Sequence, residues 1–241
     1  MHALSRKTAL VTGAARRVGR EIALTLARAG MDVAITYRAS AEAAAQTVAE
    51  IEALGVKGLA VELDVRSEAS ARSAIAEVAA WSGHLDLLVN NAAVFESAAL
   101  GDITLAQWDA IFETNARGPF LMAREALPYL KAAQGRIVNM GSLGGSHPWA
   151  THGHYCSSKA ALHMLTQTMA KAFAPEVSVN CVAPGYIEMD GAGSEAARFA
   201  AKTPMGRNGA GQDVADAVLF FATGPGFVTG QILTVDGGLG L

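Results

Sequence analysis

Only two cysteines, Cys156 and Cys181, occur in 241 residues, too few for a disulfide framework or a structural zinc site. A basic surplus is missing as well: 19 lysines and arginines stand against 22 acidic residues, a formal net charge of −3. Nucleic-acid binders need clustered cations against phosphate, so that function class is set aside. No window approaches the ~18 consecutive apolar residues of a membrane span. Met1 to Lys7 carries no apolar stretch, so no secretory leader is read there. Internal repeats, Pro/Ser-rich linkers and charge runs are lacking too. What is abundant is apolar: 51% hydrophobic against 17% charged residues, which excludes a disordered chain. At this length roughly 70–75% of the unfolded chain's surface can be buried in one domain. The expectation is a single cytoplasmic domain over residues 1–241 with no nucleic-acid or membrane partner.

Short β-branched or Leu-rich runs alternate with Ala-rich stretches of helical period. The runs are Thr8–Thr12, Asp32–Tyr37, Leu59–Val65, Leu85–Asn90, Arg136–Met140, Val177–Ala183 and Gln231–Val235. Most lack polar alternation, the pattern of strands buried on both faces. Between them the spacing predicts helices over Val18–Ala29, Ala41–Leu54, Glu68–Trp81, Leu105–Ala132, Tyr155–Phe173 and Asp213–Ala222. Gly30 and Gly55 follow two of these, where a left-handed closing residue is wanted. The alternation implies an α/β fold, a parallel sheet with helices on both faces. Residues 186–211, rich in Gly and Ala with marginal helical character, read as a lid over a ligand.

Thr12-Gly13-Ala14-Ala15-Arg16-Arg17-Val18-Gly19 joins the first strand to the first helix. Glycines there allow close backbone approach, and a helix N-terminus offers free N–H groups to phosphate. The spacing departs from G-x-G-x-x-G, so the turn alone is a weak signal. With Asn90-Asn91-Ala92-Ala93, Tyr155-x-x-x-Lys159, Pro184-Gly185 and Asp236-Gly237-Gly238 in this order, the chain resembles the short-chain dehydrogenase/reductase family over essentially its whole length.

The resemblance implies a Rossmann-type, doubly wound parallel sheet of seven strands and a dinucleotide at the strands' carboxyl ends. Gly13, Val18 and Gly19 would line the pyrophosphate turn, and Arg17 stands where relatives usually have glycine. NAD-using relatives place an Asp at the end of the second strand; here that residue is Tyr37, followed by Arg38 and Ser40. Arg16, Arg17 and Arg38, with no acid between Asp32 and Glu42, favour NADP(H) through charge-assisted bonds to its 2′-phosphate. Asp64 and Val65 match the adenine position, and Asn91, Ala92 and Ala93 the loop beside the ribose. Pro184, Gly185 and Ile187 are expected near the nicotinamide carboxamide, with Met189 where relatives often carry Thr.

Tyr155 and Lys159, four apart on a helix, share a face. A phenol of ordinary pKa ~10 is a poor base, and an adjacent ammonium is expected to lower it. By resemblance, Tyr155 is the proton donor, Ser142 orients the carbonyl, Lys159 binds the nicotinamide ribose and tunes Tyr155, and Asn115 holds a water in a relay. Phe95, Leu143, Trp149 and Tyr186 are expected to line the substrate pocket. His147, His152 and His154 lack carboxylate or thiolate partners at ligand-like spacing, so no metal is expected. Cys156 is read as facing away from the site, and Met164 and Met169 as core or interface fillers.

The motif set is most similar to that of 3-oxoacyl-acyl-carrier-protein reductases, which implies a carbonyl substrate on acyl carrier protein or coenzyme A. Arg124 and Lys131 on the long helix are candidates to meet an acidic carrier. Arg17 and Phe95 also suggest a pteridine reductase, although those enzymes often have Asp where Ser142 stands. A non-catalytic nucleotide sensor is the third reading; such proteins typically lose the tyrosine or lysine that this chain keeps. The family's habit of assembly, together with an apolar tail Thr234–Leu241, implies a homotetramer.

Overall fold

Seven parallel strands make one sheet: β1 (Thr8–Val11), β2 (Asp32–Tyr37), β3 (Gly58–Glu62), β4 (Leu87–Asn90), β5 (Arg136–Met140), β6 (Ser178–Pro184) and β7 (Ile232–Val235). The computed structural model describes residues 7–188 and 193–241. The strand order is β3-β2-β1-β4-β5-β6-β7. Every expected run is a strand, its ends moved by three residues at most. Adjacent parallel strands are joined through helices, as the right-handed crossover requires.

The helices are α1 (Arg17–Arg28), α2 (Ala41–Ala53), α3 (Glu68–Ser82), α4 (Leu105–Phe112), α5 (Gly118–Ala133), α6 (Gly153–Phe173), α7 (Gly193–Lys202) and α8 (Gly211–Thr223). Their ends carry local signals. Ser67 caps α3 by accepting from the Ser70 N–H, and Gly83 closes it at φ 79°. Thr104 and Gln107 form a capping box at α4.

Two cores sandwich the sheet. One packs Ile22 and Leu26 of α1 with Val214, Val218 and Phe221 of α8. The other packs Ile75 and Val78 of α3 with Met122 and Leu130 of α5 and Met169 of α6. Each large apolar side chain so buried contributes roughly 1.5–3 kcal/mol. Parallel register sets Asn90 beside Asn139. Their buried side chains form a chain, Asn90 Nδ2 to Asn139 Oδ1 at 2.8 Å and Asn139 Nδ2 to Thr166 Oγ at 2.9 Å.

Two expectations need correction. The helix over Leu105–Ala132 is two helices separated by a π-helical segment, Glu113–Arg117. Segments of this kind concentrate at functional sites. The stretch 186–211 contains the ordered helix α7, while Met189 lies outside the described residues.

Candidate active site

The strand order reverses between β1 and β4, and such a switch opens a crevice at the strands' carboxyl ends. A cavity of about 620 Å³ lies there. Gly13, Arg16, Arg17, Val18, Gly19, Tyr37, Arg38, Asp64, Val65, Asn91, Ala92 and Ala93 all line it. Ser40 stands behind that wall, hydrogen-bonded by Arg16. Pro184 ends β6, Gly185 donates to the Val235 carbonyl at 3.0 Å, and Ile187 bridges to Gly209. These three do not line the cavity.

The phosphate turn is tight. Gly13 sits at φ 64°, and a Cβ there would stand 3.0 Å from the Ala92 Cα. At Gly19 a Cβ would fall 2.6 Å from Asn91 Nδ2 and 2.8 Å from the Gly13 carbonyl. Arg17 adopts φ 56° and so keeps a glycine-like conformation with an L side chain. No side chain caps α1, and its first turn holds no acid. Its N–H groups and positive dipole end are thus fit for an anion.

Two threonines that sequence reasoning missed brace this turn. Thr36 Oγ accepts from the Gly13 N–H at 3.1 Å. Thr12 Oγ accepts from the Asn91 and Ala92 N–H groups at 3.0 Å each. Both read as ordinary strand residues in sequence, because Thr favours strands anyway.

The charges around the crevice are unequal in freedom. β2 ends in Tyr37, so no carboxylate stands where a 2′-phosphate would be repelled. Asp64 is gripped by Arg66 through Nε at 2.9 Å and Nη2 at 2.6 Å. Those bonds hold its pKa down to about 2, with Arg38 adding a smaller attraction. The carboxylate expected to meet adenine is therefore already engaged. Arg20 turns away to Glu21 and Glu50.

Outside the lining of that cavity, the turn after β5 carries Ser142 and α6 carries Tyr155 and Lys159. Lys159 Nζ donates to the Met140 carbonyl at 2.7 Å and lies 5.8 Å from the centre of the Tyr155 ring. Burial pulls the lysine down to about 8. Burial pushes the Tyr155 phenol above its ordinary value, and hydrogen bonding with Ser142 only partly offsets it. The expected lowering by Lys159 is thus overturned: desolvation dominates, and the ammonium is spent on Met140. A phenol kept protonated is a proton donor. Ser142 Oγ accepts from the Gly144 N–H at 3.1 Å, which leaves its hydrogen for another acceptor.

Asn115 is fully buried in the π segment. Its Oδ1 accepts from the Val94 N–H at 2.9 Å, and its Nδ2 donates to the Val94 carbonyl at 2.9 Å and Ser158 Oγ at 3.2 Å. The side chain clamps the loop after β4 to α6, directly behind Tyr155 and Lys159. Ser158 was not anticipated.

Aromatic rings surround the phenol. Phe95 meets Tyr155 edge-on at 4.8 Å and stacks on His152 at 4.7 Å. Trp149 lies parallel to Tyr155 at 6.1 Å. Leu143 is buried beneath, in the turn that follows Ser142. Tyr186 instead stacks on Phe199 of α7 at 4.2 Å. The histidines diverge: His147 contacts the Gly240 carbonyl, His152 pairs with Thr151, and His154 is buried with both ring nitrogens unpartnered. Among the described residues no three metal-type side chains group together. Cys156 lies 3.3 Å from the position of a Cβ at Gly144. Met169 is core, whereas Met164 is exposed. Arg124 is countered by Glu68 and Glu125, and Lys131 faces Glu176 at 3.7 Å. Neither is a bare cation for an acidic carrier.

An anion-ready crevice at the strands' carboxyl ends and a Ser-Tyr-Lys group beyond β5 suit an oxidoreductase, and the chain belongs to the short-chain dehydrogenase/reductase family. The family model described as enoyl-(acyl carrier protein) reductase matches residues 13–240. The chain is 36% identical over 240 residues to the 3-oxoacyl-[acyl-carrier-protein] reductase FabG of Staphylococcus aureus, covering 97% of this chain and 98% of that protein. It superposes with a TM-score of 0.94 on a short-chain dehydrogenase of Burkholderia cenocepacia in complex with NADP, at 39% identity and 100% coverage of both chains. A blue fluorescent protein from a metagenomic library, solved with NADPH, gives 0.92 at 34% identity and 99% coverage of both. No described helix is long and apolar enough to cross a membrane.

Proposed function

We propose that this protein is an NADPH-dependent carbonyl reductase whose substrate is a 3-oxoacyl thioester, on acyl carrier protein or coenzyme A, or a similar ketone. One pairing carries the reading: Ser142, Tyr155 and Lys159 lie in one group beyond β5, and the crevice is rich in arginine and free of acid at the β2 end. The NADP- and NADPH-bound relatives and the reductase from S. aureus support it.

The uncapped α1 terminus with Arg16, Arg17 and Arg38 would hold the phosphates, and Lys159 the nicotinamide ribose. NADPH held there would supply hydride chemistry. Ser142 turns its hydroxyl hydrogen from Tyr155 to the carbonyl oxygen and fixes its direction. Tyr155 then gives its phenolic proton to that oxygen as negative charge builds there, yielding the alcohol. Asn115 keeps α6 and the loop after β4 in register while this happens. Residues 186–211 serve as the cover, tied by the Tyr186–Phe199 stack.

Phe95 already stacks one face on His152, which weighs against its closing a flat slot over a pterin. NADPH oxidation should therefore be measured side by side with acetoacetyl-coenzyme A and dihydrobiopterin. Turnover of the thioester and little of the pterin is the expected result; the reverse transfers the protein to the pteridine reductases, and turnover of neither rejects the substrate reading. The assembly we propose is a homotetramer. Phe120 and Tyr129 of α5, Met164 of α6, and Phe220 and Leu233 beside the tail are left exposed in the single chain. Light scattering that gives only a monomer at micromolar concentration would refute it.

A further inference from the structure

His163 is a buried titratable side chain that the reduction chemistry leaves unused. It lies on α6 four residues beyond Lys159 and eight beyond Tyr155, so the three share a helical face. Its ring fills the slot between Gly141, just past β5, and Gly145, at the end of the turn Leu143–Gly145. A Cβ at Gly141 would stand 2.5 Å from His163 Nε2 and 2.6 Å from Cys181 Sγ; one at Gly145 would stand 2.5 Å from His163 Cε1. Ser142 is threaded between these glycines. Immediately before them comes Met140, whose carbonyl takes the Lys159 ammonium. The backbone that carries Ser142 and the carbonyl anchoring Lys159 thus rests on one imidazole.

His163 Nε2 is buried without a hydrogen-bond partner, an uncommon state that asks for a role. The titratable groups that face it are Lys159 on its own helix and Cys181 on β6; the turn and β5 present only backbone and glycine. Burial, and then the Lys159 charge, hold its pKa below the ordinary value. Burial pushes the Cys181 thiol up to about 12. The pocket therefore holds one cation and two neutral groups, with no carboxylate to balance a second cation.

Resting on the reductase reading, we propose that His163 is a positioning residue: a neutral wedge that sets Ser142 and the Met140 carbonyl against Tyr155 and Lys159, and that releases them when it takes a proton. A protonated ring would share a buried pocket with the Lys159 ammonium. Either the ring leaves its slot or the lysine loses Met140, and each displaces Ser142. Because the pKa is lowered, the neutral form persists through neutral pH and is lost only in acid.

Histidine NMR of the full chain with NADP bound tests this directly. His163 should titrate below the ordinary histidine range, and the amide signals of Gly141, Ser142 and Gly145 should move with the same midpoint. The kcat for acetoacetyl-coenzyme A should fall at that midpoint. His163→Leu keeps the bulk without the proton site; it should lose this acid limb and run about tenfold slower at neutral pH, with NADPH affinity unchanged. A ring that titrates at or above the ordinary histidine value, one that stays neutral until the fold itself is lost in acid, or amides that ignore its titration overturn the proposal even where the variant does not fold. Failure of the unmodified chain to reduce the thioester would instead count against the reductase reading, and the NMR titration still decides the wedge.

Discussion

Arg17→Gly separates two demands that meet at one residue. The native arginine holds φ 56° at the start of α1, in the left-handed region. An L side chain there costs about 1–2 kcal/mol. Glycine removes that strain but loses about 0.5–1 kcal/mol more through unfolded-state freedom. The balance favours the variant by roughly 0–1.5 kcal/mol, at most about 6 °C in Tm for a chain of this size. Cofactor binding should move the other way. Arg17 lines the crevice and is solvent-exposed, so its attraction for a phosphate in water is about 1 kcal/mol, a ~3–5-fold change in Kd. Salt should erase most of that difference, because the pair is screened. Thermal melts of the cofactor-free protein and NADPH fluorescence titrations at low and high salt read both quantities. A variant that melts lower, or that binds NADPH equally well at low salt, refutes the reasoning.

Three further outcomes are expected. Tyr155→Phe should lower kcat by about 10²–10⁴-fold while NADPH affinity barely changes, since only the transferable proton is lost; retention of most activity would rule out the assigned donor. Arg38→Asp should cut the NADPH-over-NADH preference in kcat/KM by at least about tenfold through like-charge repulsion; equal use of both cofactors by the unmodified chain would contradict the arginine reading. Lys159 titrates at about 8 against an ordinary 10.5, so a pH–rate profile should show activity falling as the ammonium is lost above the lower value. Across that same window the unfolded chain still holds the proton that the folded one has shed. This group's contribution to stability therefore rises as activity declines, and denaturant melts at stepped pH would show it.

The strands were legible because both faces are covered, and runs such as Arg136–Met140 then need no polar alternation. The break at Glu113–Arg117 was not. Ile111 on one side and Leu121 and Met122 on the other keep apolar positions in helical step, while the cause of the break is tertiary: Asn115 reaches across to Val94 and Ser158. Tyr155 and Lys159 could be placed from their spacing, but the direction of the tyrosine's shift could not. Desolvation depends on Phe95 and Trp149, which sequence distance does not order. Likewise Asp64 could be located in the crevice, yet its engagement by Arg66 follows from a turn geometry invisible in composition.

The strand order also dictates a timetable for synthesis. β1, β2 and β3 are made in succession and can pair as they emerge. The opposite edge of β1 must wait until Leu87–Asn90 has been translated, because its partner there is β4. During that interval a short strand, wholly buried in the finished fold, presents unpaired N–H and C=O groups, the kind of edge that recruits strands from other chains. Growth then continues one strand at a time to β7, each addition separated by at least one helix and none available as a local hairpin. Such non-local pairing folds slowly. Truncation before β4 should therefore yield an aggregating fragment and not a half-sized soluble fold.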